Sequence, residues 1–103
     1  MQFEIAFAPE AVEDWRRLKA NFRALVRDAI EQHLRHTPTR TSKRRIKRLR
    51  DLVRPQYRLR VGEIRVFYDV LGDRVVILGI VNKDDAIEWL EAMGEPDENG
   101  SPE

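Results

Sequence analysis

The stretch from Tyr57 to Val81 constrains the fold more than any other part of the chain. Tyr57-Arg58-Leu59-Arg60-Val61 alternates apolar and charged residues, Gly62-Glu63 interrupts it, and Ile64-Arg65-Val66-Phe67-Tyr68-Asp69-Val70 continues. Alternation with a period of two marks a strand buried on one face, and a two-residue link with glycine first suits a type II′ hairpin turn. Counting outward from that turn pairs Val61 with Ile64, Arg60 with Arg65, Leu59 with Val66, Arg58 with Phe67 and Tyr57 with Tyr68. Successive side chains point to opposite faces, so Tyr57, Leu59, Val61, Ile64, Val66 and Tyr68 belong to the core. Arg58, Arg60, Arg65 and Phe67 then share an open face. Leu71-Gly72-Asp73 makes the next turn, and the apolar run from Val75 to Val81 reads as a central strand covered on both sides.

The elements around this hairpin follow from the same patterning. Phe3, Ile5 and Phe7 alternate as a first strand. Pro9 suits the first position of a helix running to about Ala20, with Val12, Trp15 and Leu18 on its inward stripe. A second helical stripe comprises Phe22, Leu25, Val26, Ala29, Ile30, His33 and Leu34, and Thr37-Pro38-Thr39 ends it. Arg40 to Arg54 reads as an irregular connection, although Ile46, Leu49 and Leu52 also fit one face of a short helix. Asn82 or Asp84 can cap a last helix carrying Ala86, Ile87, Trp89, Leu90 and Met93, stopped by Gly94. Trp15 and Trp89 both lie in apolar stripes and are expected in the core. The order β-α-α-β-β-β-α implies an α+β fold, a mostly antiparallel sheet with helices packed on one face. A chain of 103 residues fits one such domain, placed at 1–94, followed by an acidic tail at 95–103 expected to be disordered.

Composition narrows the chemistry. Without cysteine there is no disulfide, thiolate nucleophile or cysteine-ligated zinc. His33 and His36 have helical spacing, but His33 falls on an apolar stripe and nothing completes a ligand set, so neither metal nor cofactor is expected. No apolar run approaches the roughly 20 residues that span a bilayer, and the start lacks a secretory pattern, so a soluble, cytoplasmic protein with no membrane association is expected. The net charge of +1 conceals a strong asymmetry. Residues 40–65 carry eleven basic and two acidic groups, whereas residues 66–103 carry two basic and ten acidic ones. A block this basic is a footprint for a polyanion, either nucleic acid or an acidic protein segment.

Arg60 facing Arg65 sharpens that reading, because like charges directly opposite across a strand pair are destabilising. A bound anion removes the conflict. Guanidinium groups grip phosphate bidentately, and an aromatic such as Phe67 beside them offers a base a stacking surface. Arginine stays protonated, so it binds and stabilises charge without acting as a general base.

The hairpin sequence Tyr57 to Tyr68, the following run Val75–Val81, Ala8-Pro9-Glu10-Ala11 and Trp15-Arg16-Arg17-Leu18 together resemble toxins of the RelE/ParE superfamily, over about residues 2–93. The resemblance implies a toxin of a type II toxin–antitoxin system. In RelE-like members it further implies a ribosome-dependent endoribonuclease, in which basic residues hold messenger RNA while a 2′-hydroxyl attacks the adjacent phosphate. Arg58, Arg60 and Arg65 match the basic positions. Lys83 is the partial match to a basic residue after the last strand; the tyrosine common there is missing, and Glu88 stands where a carboxylate could substitute. Lys43, Arg44, Arg45, Lys47 and Arg48 are candidate RNA contacts, the same charges serving equally as an antitoxin strip. The implied partners are a cognate antitoxin, forming a hetero-oligomer, together with the ribosome and its messenger. Two other readings stand beside this one: ParE-like inhibition of DNA gyrase, and an inactive homologue acting through antitoxin binding.

Overall fold

The computed structural model describes residues 1–98. Strands β1 (Glu4–Phe7), β2 (Ile46–Arg48), β4 (Tyr57–Val61), β5 (Ile64–Leu71) and β6 (Arg74–Asn82) form one sheet in the order β1-β6-β5-β4-β2. Only β1 runs parallel to its neighbour; the other pairs are antiparallel. Helices α1 (Pro9–Arg17) and α2 (Ala20–Ala29) follow β1, and α2 continues into a π-helical turn at Ile30–Leu34. A 3-10 turn at Lys83–Asp85 leads into α3 (Ala86–Met93).

The hairpin has the expected register, all five pairs from Tyr57↔Tyr68 to Val61↔Ile64. Gly62 has φ 58° while Glu63 stays at negative φ, the combination a II′ turn requires. Leu59, Ile64, Val66 and Tyr68 are buried with Val75, Ile77 and Ile80 of β6, against Ala11, Val26, Ala29, Ile30 and Leu34 of the first two helices. Tyr68 closes this core by donating its hydroxyl to the Pro38 carbonyl at 2.6 Å.

The α+β fold and mostly antiparallel sheet hold, with three additions. The one-sided layering is true of α1 and α2, but α3 lies across the reverse face, where Trp89 covers Phe67 and Gly79. Residues 40–54 are neither irregular throughout nor helical: β2 pairs with β4, and β3 (Leu52–Arg54) follows a turn at Asp51 with φ 64°. Three-residue spacing fitted both states, and the decision fell to Ile46, which is buried opposite Leu59 in the sheet. Finally, β7 (Glu95–Pro96) pairs with β3, so the boundary expected after Gly94 falls just before a paired segment; residues 99–103 of the expected tail lie outside the described residues.

Candidate nucleic-acid interface

Strand register lays the basic residues out in rows. Lys47, Arg58, Phe67 and Gly79 are successive partners across β2, β4, β5 and β6, with Arg60 and Arg65 forming the next row toward the hairpin turn. Arg45 joins that row because its carbonyl accepts the Arg60 N–H at 2.8 Å. Arg48 falls instead on the core-side row, with its guanidinium 5.1 Å from the centre of the Tyr57 ring and one Nη1 bond to the Gln56 carbonyl.

The three hairpin arginines are differently placed. Arg58 is half-buried, and its Nε has no hydrogen-bond partner. Burial first, and then the charges of Arg65 and Arg60, hold its guanidinium below the ordinary value. Arg65 turns back on the hairpin, donating from Nη1 to the carbonyls of Gly62 (2.8 Å) and Ile64 (3.1 Å). Arg60 is exposed and, with Arg44, Arg45 and Gly62, lines a cavity of about 450 Å³. Lys83 is drawn to the turn, its Nζ 3.2 Å from Glu63 and its N–H bonded to the Glu63 carbonyl. Lys43 and Lys47 are exposed.

Phe67 corrects the sequence expectation. It is 1% exposed, with the Trp89 ring 4.7 Å away and nearly parallel, so it cannot serve as an open stacking surface. Trp89 is half-buried by this contact, and Trp15 is half-buried against the core, edge-on to Phe7. Gly79 makes the stack possible, since a Cβ there would overlap the Trp89 indole.

Proton-transfer groups are scarce around these arginines. Tyr68 faces the core, and burial raises its pKa far above the usual phenol range. Glu88 is exposed on α3 with no ion pair or hydrogen bond among the described residues. His33 is half-buried near Arg45, its pKa lowered by burial first and then by that charge. Among the described residues no group of three or more His, Asp or Glu is arranged to hold a metal, and no helix is long and apolar enough to cross a membrane.

The sequence reading missed one buried polar centre. Asp69, 2% exposed, accepts from Arg54 Nε at 2.9 Å and from the Gln56 N–H at 2.8 Å, while Gln56 Oε1 accepts the Val70 N–H. Of the eleven basic residues in 40–65, Arg54 alone forms an ion pair among the described residues. In contrast, six of the eight basic residues outside that block, Arg16, Arg17, Arg27, Arg35, Arg74 and Lys83, are paired, and Lys19 and Arg23 are not. Apart from Arg54, the basic residues of the block are thus without a salt-bridge partner among the described residues.

Residues 5–87 match the family model described as ParE toxin of type II toxin-antitoxin system, parDE. No curated protein matches the chain. Among solved structures, the RelBE2 toxin-antitoxin complex of Mycobacterium tuberculosis contains a similar chain, with TM-score 0.68 and 24% identity, covering 80% of this chain and 99% of that one. A mutant Escherichia coli RelE toxin in the free state gives TM-score 0.67 at 20% identity, covering 89% and 95%. The YoeB dimer of Staphylococcus aureus gives 0.62 at 18%, covering 79% and 97%. At these identities the structural likeness speaks for the fold.

Proposed function

Since the chain belongs to the ParE toxin family of type II toxin–antitoxin systems, we propose that it acts as a ribosome-dependent endoribonuclease that cleaves messenger RNA and inhibits translation. The observation that carries this reading is the largely unpaired basic block centred on the hairpin. Arg58 presents a buried donor with no acceptor, Arg60 faces Arg65, and none of the three forms an ion pair among the described residues. A phosphodiester supplies the missing acceptor and the missing charge together.

In the proposed reaction the 2′-hydroxyl oxygen attacks the adjacent phosphorus, the bond to the 5′-oxygen breaks, and a 2′,3′-cyclic phosphate and a 5′-hydroxyl result. The proton lost by the 2′-hydroxyl goes to a base, and the departing 5′-oxygen takes one up. Arg58, Arg60 and Arg65 stabilise the negative charge that accumulates on the phosphorane. Lys83, held beside the turn by Glu63, is the candidate donor to the leaving oxygen. Lys43, Arg44, Arg45 and Lys47 hold RNA backbone, whereas Arg48, occupied on Tyr57, contributes less. Phe67 supports the site from beneath Trp89 and stacks on no base. The cognate antitoxin neutralises the toxin by laying an apolar and acidic segment over the arginine face, giving a hetero-oligomer in the cytoplasm.

The test is cell-free translation with purified protein, mapping messenger 5′ ends by primer extension beside an Arg60→Ala/Arg65→Ala variant. New ribosome-dependent 5′ ends that vanish in the variant are expected; their absence with the unaltered protein rejects the reading. A second reading, ParE-like inhibition of DNA gyrase, is favoured by two observations: Phe67 is covered by Trp89, and the Tyr68 hydroxyl is buried on the core side and bonded to the Pro38 carbonyl. Loss of gyrase supercoiling activity on addition of the protein, with messenger left intact, would select it.

A further inference from the structure

The cavity at the hairpin tip is framed by hydrogen bonds that continue the sheet past the end of β2. Ser42 N–H bonds to the Ile46 carbonyl at 3.0 Å, Arg45 N–H to Ser42 Oγ at 3.0 Å, and Arg60 N–H to the Arg45 carbonyl at 2.8 Å. This turn extends the pairing of β2 with β4 and sets Arg44 and Arg45 beside Arg60. The three side chains make no ion pair or hydrogen bond among the described residues, and the lining of the cavity contains no carboxylate. Gly62 leaves the mouth clear, since nothing lies within 4 Å of where its Cβ would stand. Arg65, opposite Arg60, is turned away onto the carbonyls of the hairpin. Three exposed guanidinium groups gathered around one cavity repel one another, and an anion held among them relieves that repulsion.

We propose that the Arg44–Arg45–Arg60 cavity is a second phosphate seat, which takes the phosphate next to the one held at Arg58 on the same bound RNA strand, with Arg60 standing between the two phosphates and shared by them. The inference rests on the RNA reading above and adds a direction to it. Arg58 and Arg60 point from the same face of β4, two residues and so about 7 Å apart along the strand, a step that suits successive phosphates of an extended single strand. The strand would run along β4 from Arg58 toward the hairpin turn. Each forked guanidinium can hold two phosphate oxygens, and a bound phosphate would relieve the repulsion among all three arginines.

The experiment measures binding of 2′-O-methyl oligouridylates, which lack the attacking hydroxyl, as a dinucleotide with one phosphate and a trinucleotide with two. The protein is compared with its Arg44→Gln/Arg45→Gln variant, whose substitutions sit at exposed positions. The unaltered protein is expected to gain about tenfold in affinity with the second phosphate, as one charge-assisted contact implies. The variant should lose that gain, weakening the trinucleotide about tenfold more than the dinucleotide, and its salt slope for the trinucleotide should fall by about 0.7. A gain that persists in the variant overturns the seat, as does equal weakening for both oligonucleotides, which indicates a diffuse field alone. If the unaltered protein binds neither oligonucleotide, the seat and the RNA contact both fail. Ribosome-dependent cleavage accompanied by an undiminished gain in the variant rejects the seat alone.

Discussion

Arg58→Leu is expected to make the protein more stable while removing its activity. Arg58 sits in the middle of the sheet with Lys47 opposite it on one side and Phe67 on the other, and its Nε is buried without an acceptor. An unsatisfied buried donor costs about 1–3 kcal/mol, and a like charge directly opposite adds about 0.2–1 kcal/mol. The residue is only half-buried, so solvent screens part of both effects and about 1 kcal/mol is the expected gain. Leucine retains an apolar side chain at the position paired with Phe67, which keeps packing loss small. For a domain of this length 1 kcal/mol moves Tm by about 4–8 °C. Urea and thermal unfolding followed by tryptophan fluorescence would read the change, with growth arrest on expression as the activity assay. A variant destabilised by 1 kcal/mol or more would refute the reasoning, because it would mean that Arg58 is satisfied inside the fold and has no need of a phosphate.

Three further outcomes follow from the packing and titration. Gly79→Ala forces the Trp89 indole off its place over Phe67, for an expected loss of about 1–3 kcal/mol together with a red shift in tryptophan emission; unchanged emission would place the ring elsewhere. Asp69→Ala strips the acceptor from Arg54 and the Gln56 N–H and should cost about 3 kcal/mol, discounted for the half-exposed Arg54, while Asp69→Asn should recover part of it; equal urea midpoints for both variants and the unaltered protein would count against the network. His33 has a lowered pKa, so between the ordinary value of 6.5 and its lower folded value the unfolded chain binds more protons than the folded one. Its contribution to stability is therefore constant above that window and is lost as pH falls through it. His33→Gln should flatten the stability profile there, and an unaltered slope below pH 6.5 would assign the effect to another group.

How much of this was legible depended on whether a single pattern had one solution. The hairpin did: alternation on both arms of a two-residue turn leaves one register, and a slip of one residue would have exposed Leu59 and Val66 while burying Arg58 and Arg60. Phe67 was different, because a period of two tells which face a side chain takes but not what covers that face. The usable signal was Gly79, a residue without a side chain in an otherwise apolar run, whose position opposite Phe67 leaves room for an indole. The segment from Arg40 to Arg54 was ambiguous because its apolar spacing suits a helix stripe, and its strands depend on tertiary pairing with β4 and with Glu95–Pro96. Asp69 gave no warning either: its partners, Arg54 and Gln56, come to it only when the β3–β4 connection folds over β5.

The candidate site could be located before it could be described, and the reason lies in how the charges are distributed. Had the ten acidic groups of residues 66–103 folded onto the basic block, the near-zero net charge would have been a true description of the surface. Instead, the ion pairs between those acidic groups and the basic block, among the described residues, are those of Asp69 and Glu95, and both meet it at Arg54, beside β7. The acidic Glu63 of the hairpin turn takes Lys83 and leaves Arg60 and Arg65 alone. Elsewhere Arg16, Arg35 and Arg74 pair with carboxylates three, four and seventy residues away, whereas Lys19 and Arg23 form no ion pair among the described residues, so the omission is concentrated in one block without being unique to it. A fold that pairs most of its basic residues elsewhere, and leaves them unpaired on the same rows that hold Arg58 and Arg60, keeps those positions at a cost in its own stability. A polyanion laid along those rows would lower that cost, which is what the proposed RNA contact supplies.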